Sequence, residues 1–149
     1  MKIRKAKESD VKQITKLRKD NLKKVDAEKY PEKVKGFLIK RDTDERNLRH
    51  IRERDYFCAV DNDKILGTIS LDNDEICDLF VKYNYIKKGI GLKLIKHIEA
   101  YAKKRGTNKL WLESAQHSRG FYEKAGFKMK KKIDKENNRI NFLMEKKLK

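Results

Sequence analysis

The sequence predicts an α+β domain with a central, mostly antiparallel mixed sheet of about seven strands, flanked by helices in the order β-αα-βββ-α-β-α-ββ. Three observations carry this. Between Tyr56 and Val81, short apolar runs alternate with Asp/Asn turns, as in an antiparallel meander. A glycine-bearing loop, Lys87-Lys88-Gly89-Ile90-Gly91, then separates a strand-like run from a strongly amphipathic stretch. The chain closes on two strand-like runs across a polar turn, and its first third is helical in period.

The elements follow in order. Ile3-Arg4-Lys5-Ala6 reads as a first strand. Ser9-Asp10 caps a helix, with Asp10 and Gln13 in capping-box spacing, and Val11, Ile14, Leu17, Leu22 and Val25 form its apolar stripe. Asp26 to Lys40 is a second helical piece with Pro31 near its start, and Asp42 to Arg54 a third, exposing Asp44, Glu45, Arg46 and Arg49. Tyr56 to Val60, Lys64 to Leu71 and Glu75 to Val81 are strands joined by the turns Asp61-Asn62-Asp63 and Asp72-Asn73-Asp74. Gly91 to Arg105 is a helix with Leu92, Ile95, Ile98 and Ala102 inward and Gly106 past its end. Leu110-Trp111-Leu112 is a strand and Ser118 to Lys124 a short helix. Phe127 to Ile133 and Arg139 to Met144 form the closing hairpin.

At 149 residues the chain reads as one domain, 1–149, with a core of its own. No apolar run approaches the roughly 18 residues of a membrane span, and no apolar segment follows the basic start Met1-Lys2-Ile3-Arg4-Lys5. Cys58 and Cys77 fall in strand runs as free, buried thiols, which fits a cytoplasmic protein. His50, His97 and His117 have no metal-ligand spacing, and His97 falls on the polar, exposed face of its helix. The net charge of +17 invites a nucleic-acid reading, but 30 of the 40 basic residues are lysines scattered along the chain without interleaved aromatics, so nucleic acid is disfavoured. Residues 41 to 79 hold six basic against eleven acidic residues, an acidic centre that suits a cationic partner.

The loop from Lys87 to Leu92 carries the first chemistry. Glycines bring the backbone close to a ligand, and the first turn of a helix offers unpaired N–H groups and a positive dipole end. Two lysines add full charge. This is a cradle for a phosphate-bearing ligand.

Two motifs then carry a resemblance. Leu79-Phe80-Val81, Tyr85, Lys88-Gly89-Ile90-Gly91 resembles the acetyl-CoA pyrophosphate loop V-x-P-x-x-[QR]-x-x-G-x-[GA] of the GNAT N-acetyltransferase superfamily. About 30 residues on, Phe121-Tyr122-Glu123-Lys124-Ala125-Gly126-Phe127 is similar to that family's F-Y-x-K-x-G-F signature. Departures are visible: Ile86 stands where the family has Gln or Arg, Tyr83 where proline is common, and Ala115 where asparagine often precedes the tyrosine motif. The loss at Ile86 removes a side-chain contact but leaves the backbone amides.

The resemblance implies acetyl-CoA as co-substrate, no metal, and acetyl transfer to a primary amine by direct attack in a ternary complex. It implies a fourth strand that splays from the fifth, with Leu79, Phe80 and Val81 pairing with the pantetheine arm and the Val81 N–H facing the oxyanion. Lys87, Lys88, Gly89, Ile90, Gly91 and Leu92 would hold the pyrophosphate, and Tyr122 would direct its hydroxyl at the sulfur as general acid. Glu75 is the candidate base, with Asp78 second. Strand alternation sends their side chains to opposite faces. The acidic centre favours a small cationic amine, a lysine side chain or a protein N-terminus as acceptor. Family relatives are commonly homodimers. The competing reading is a non-catalytic acyl-CoA-binding or basic nucleic-acid-binding module on the same scaffold.

Overall fold

The computed structural model describes residues 1–24 and 29–149. The stripe position Val25 and the expected second-helix start at Asp26 lie outside them. The strands are β1 (Lys2–Lys5), β2 (Asp55–Asp61), β3 (Lys64–Asp72), β4 (Glu75–Val81), β5 (Lys109–Ala115), β6 (Lys128–Asp134) and β7 (Ile140–Lys147). The helices are α1 (Val11–Lys24), α2 (Glu32–Arg41), α3 (Asp44–Glu53), α4 (Ile90–Lys104) and α5 (Arg119–Lys124). One seven-stranded sheet runs β1-β2-β3-β4-β5-β7-β6. All its pairings are antiparallel except the parallel one between β4 and β5.

Side chains alternate along the meander, so each sheet face gets its own core. Phe57, Ala59, Ile69 and Leu71 pack with Leu94, Ile95, Ile98 and Ala102 of α4. Tyr56, Cys58, Val60 and Ile65 pack on the other face with Ile14 and Leu17 of α1. Leu22 joins Val34 and Leu38 of α2 in a third cluster on the α1 side. Burying each large aliphatic chain contributes about 1.5–3 kcal/mol. Gly67 lets α4 approach the sheet. A Cβ there would sit 2.9 Å from the Phe80 carbonyl and 3.0 Å from Leu94 Cδ1.

Several expectations need correction. Helix α4 begins at Ile90, and Leu94 rather than Leu92 faces inward, four residues from both Ile90 and Ile98; Leu92 is 41% exposed. Asp10 does not pair with Gln13. It ends a 3₁₀ turn, accepting the Lys7 N–H at 2.7 Å and the Arg4 guanidinium at 2.8 Å, while Gln13 Oε1 accepts the Ile65 N–H. Helix α2 starts at Glu32, just after Pro31, because proline presets the entering φ and needs no N–H partner. Thr43 caps α3 by accepting the Arg46 N–H at 3.2 Å, and Asp44 and Arg46 are half-buried rather than exposed. Strand β5 extends to Ala115. His97 is half-buried, its ring edge-on to Phe57 at 4.6 Å. Cys77 is half-buried rather than buried. Among the described residues no helix is long and apolar enough to cross a membrane.

Candidate active site

Strands β4 and β5 share a single registered pair, Glu75 with Trp111, joined by the Trp111 N–H to the Asp74 carbonyl at 3.1 Å. Beyond it they part, leaving a cleft of about 620 Å³ lined by β4, β5 and the start of α4. Its lining includes residues from both sheet faces: Ile90 and Tyr122 from the α4 side, and Arg18 and Asp78 from the α1 side. It therefore passes through the sheet and has two mouths.

The α4 mouth holds the glycine loop. Lys87 and Gly89 have φ of 66° and 86°, and Gly89 is the residue before the helix. This left-handed pair turns the chain into α4, whose first intrahelical bond runs from the Lys93 N–H to the Gly89 carbonyl. The N–H groups of Ile90, Gly91 and Leu92 have no intrahelical partner, and no side chain caps them. Gly91 lies close to α5: a Cβ there would meet Phe121 Cζ at 3.1 Å. Ile86, Lys87 and Lys88 are exposed, and Lys88 Nζ stands 5.1 Å from the Tyr85 ring centroid.

The Lys82 N–H donates to the Leu66 carbonyl at 2.8 Å. In an antiparallel ladder this makes Gly67–Val81 the kind of pair whose own N–H and C=O groups face away from the partner strand. The Val81 N–H is thus directed to the gap between β4 and β5, and the Val81 carbonyl accepts from Asn21 Nδ2 at 2.6 Å. Leu79, Phe80 and Val81 all line the cleft.

Tyr122 also lines it, its ring edge-on to Phe121 at 5.3 Å and Phe127 at 6.1 Å. Burial pushes its phenol well above the ordinary value, and the nearby Cys77 thiol adds to the shift. Burial, and then Glu75, push Cys77 itself up to about 12.

The two carboxylates fare differently. Glu75 sits at the closed end of the cleft and is not among its lining residues. Its half-buried carboxyl is raised, by burial first, against the pull of Arg54. Asp78 does line the cleft but is fully engaged. It accepts from Ser70 Oγ at 2.6 Å, Arg54 at 2.9 Å and Arg18 at 3.0 Å, with His50 Nδ1 at 3.4 Å. Burial alone would raise it, but His50, Arg18, Ser70 and Arg54 hold it far below the carboxylate range. Strand alternation fails here because Asp78 has a φ of 55° in a β-bulge opposite β3.

The α1 mouth contains residues no motif marked: Arg18, Asn21, Arg41, Asp42, His117 and Arg139. The one signal in the sequence was Arg18 beside Leu17 on an otherwise apolar stripe. Arg18 is buried, bonded to Asp42 at 2.7 Å and stacked 4.2 Å from the Phe80 ring centroid. Among the described residues no group of three His, Cys, Asp or Glu is placed to hold a metal ion.

The acetyltransferase (GNAT) domain model matches residues 25–148. A search of curated proteins gave no significant match. Among solved structures, a GCN5-related N-acetyltransferase from Rhodopseudomonas palustris superposes with a TM-score of 0.90 at 20% identity, covering 99% of this chain and 95% of that one. The paia N-acetyltransferase of Thermoplasma acidophilum, solved with coenzyme A, gives 0.83 at 25% identity over 98% of both chains. An aminoglycoside 6'-N-acetyltransferase from Enterococcus faecium gives 0.68 at 19% identity, over 100% of this chain and 98% of that one. The diverging β4 and β5, the bare amides of α4 and the family match agree, and the chain belongs to the acetyltransferase (GNAT) domain family as an acetyl-CoA-dependent N-acetyltransferase.

Proposed function

We propose that the protein moves the acetyl group of acetyl-CoA directly to a primary amine, with both substrates bound at once. The cleft that runs through the sheet carries this reading, because it gives each substrate its own mouth and a shared middle. The Ile90, Gly91 and Leu92 amides receive the pyrophosphate, with Lys87 and Lys88 supplying charge. The free edge of Leu79 to Val81 pairs with the pantetheine amides, and the Val81 N–H faces the developing oxyanion. The amine nitrogen attacks the thioester carbon, the C–S bond breaks, and the products are an acetamide and a thiol. The amine sheds one proton and the sulfur gains one.

Tyr122 serves the sulfur. Its raised phenol makes outright proton loss costly: even at the ordinary value near 10, giving a proton to a thiolate near 8.5 is uphill by about 2 kcal/mol. Tyr122 therefore acts by hydrogen bonding to the leaving sulfur, which takes its proton from water. Asp78 is no base, since its carboxyl stays ionised and bonded. Glu75, whose carboxyl is raised, is the base the chain offers, and it acts through water because it stands behind the cleft.

Calorimetry with acetyl-CoA tests the reading. We expect one site per chain with micromolar affinity. A folded protein that does not bind at millimolar concentration rules it out.

A further inference from the structure

The charges on the α1 mouth say what kind of amine enters. Arg41 ends α2 and Arg139 precedes β7, and both line the cleft. Their guanidinium carbons lie 5.4 and 5.8 Å from the centroid of the same ring, Phe37. Arg46 stands behind them on α3, close enough to feel Arg41.

Among the described residues the acids nearest them are engaged, apart from the Glu136 carboxylate, which acts on Arg41 without pairing to it. Asp42 accepts from Arg18 at 2.7 Å and Asn47 at 2.8 Å. Asp78 is held by Arg18, Arg54 and Ser70. Glu113 pairs with Lys135 at 3.2 Å. Glu136 gives Arg139 only its backbone carbonyl, at 3.2 Å. Among the described residues none of the Arg41, Arg46 and Arg139 guanidiniums forms an ion pair. The crowding is felt: although Arg41 as a whole is exposed, its head group is held below the ordinary value by burial, then by Arg139 and Arg18, against the smaller pull of Asp42 and Glu136. A side pocket of about 580 Å³ next to the cleft extends the same field with Lys29 and Lys33.

We propose that the acceptor is a small primary amine bearing an oxyanion group, a carboxylate or a phosphate, which Arg41 and Arg139 grip across Phe37 while the amine points into the cleft. The proposal rests on the acetyl-transfer reading and names its substrate class. Guanidinium forks match both oxyanions in shape, and an anion between them relieves their mutual repulsion. Polyamines and other polycations are disfavoured at this mouth. Where the acidic stretch of the sequence reaches it, at Asp42 and Asp78, each carboxylate is already paired with an arginine. The pair does not belong to the acetyl-CoA cradle, because α2 packs with α1 on the sheet face opposite α4.

The test is a thiol-release assay with matched amines: β-alanine against its amide, 2-aminoethyl phosphate against ethanolamine, and putrescine. We expect at least one oxyanion amine to exceed its uncharged counterpart tenfold in kcat/KM, and the better of the two pairs to identify the group. Arg41→Glu with Arg139→Glu should erase that ratio and favour putrescine, while acetyl-CoA affinity stays within about twofold. Independently, inorganic phosphate should bind the CoA-saturated protein and fail to bind the double variant. Three results overturn the proposal: a preference for the uncharged or cationic amines, ratios the variant leaves unmoved, or no phosphate binding once CoA is present. Failure to bind acetyl-CoA at all would instead strike the acetyl-transfer reading.

Discussion

At the scale of single residues, Tyr122 has the most sharply defined chemistry. Its hydroxyl has no hydrogen-bond partner among the described residues, and its phenol is held protonated by burial. It is therefore free to donate to a sulfur that becomes anionic. A hydrogen bond to a charged group contributes about 1.5–3 kcal/mol. Tyr122→Phe should lower kcat by roughly 10–100-fold with little change in acetyl-CoA affinity, read by steady-state kinetics beside calorimetry. The Phe-Tyr motif made this residue legible in the sequence. Asp78 was not legible as an anchor. Strand alternation puts it opposite Glu75, and the bulge that reorients it is fixed by Thr68 Oγ1 binding the Asp78 carbonyl at 2.6 Å, a contact no local pattern encodes. Leu92 shows a smaller failure of the same kind. The buried row runs Ile90, Leu94, Ile98 and Ala102 at four-residue spacing, which leaves Leu92 off it.

At the scale of elements, the turn into α4 separates two uses of glycine. Gly89 has a φ of 86° with nothing within 4 Å of its missing Cβ, whereas Gly91 has no unusual φ but crowds Phe121. A side chain at Gly89 costs only the left-handed backbone, about 1–2 kcal/mol. Gly89→Ala should therefore relax the turn, misdirect the Ile90 to Leu92 amides and weaken acetyl-CoA binding about tenfold by calorimetry. The loop, the meander and α4 were readable because each has a local signature: glycines, Asp/Asn turns, a 3.6-residue period. The parting of β4 from β5 has none. It rests on a single parallel pair at Glu75 and Trp111, while β5 pairs along its full length with β7 on its other edge. Only the family resemblance supplied it.

At the scale of the whole molecule, the buried charge network ties the helical half to the sheet. Arg18 of α1, Asp42 before α3, Arg54 after α3 and Asp78 of β4 form one connected set. The Asp78 carboxyl is depressed, as is Asp10, where burial works against the stronger pull of Arg4 and the Lys7 N–H. A depressed carboxyl stabilises the fold above its unfolded value, near 3.9, and that stability drains away as pH falls through the folded value. The denaturation midpoint should be flat above pH 5 and fall steeply below pH 4. Asp78→Asn should cost about 3 kcal/mol at pH 7, since it removes the charge shared by the buried Arg18 and the half-buried Arg54, and should blunt the acid limb in urea titrations at pH 7 and 3. Composition gave the charge but not its pairing. The acidic run from 41 to 79 reads in the sequence as suited to a cationic partner, and in three dimensions four of its acids, Asp42, Asp55, Asp72 and Asp78, are paired with Arg18, Arg105 and Arg54. The basic surplus also has a structural use: Lys128, Lys130, Lys131 and Lys132 stand exposed on β6, the sheet's edge, where charge discourages strand-to-strand association.

The cleft that pierces the sheet has a consequence for how such a protein can change. The acyl donor and the acceptor are handled by segments that share almost no packing: the α4 turn on one side, and the end of α2 with the turn before β7 on the other. With the acceptor mouth as proposed, a lineage can rewrite positions such as Arg41 and Arg139, and so inherit a new acceptor, while the donor half passes down unaltered.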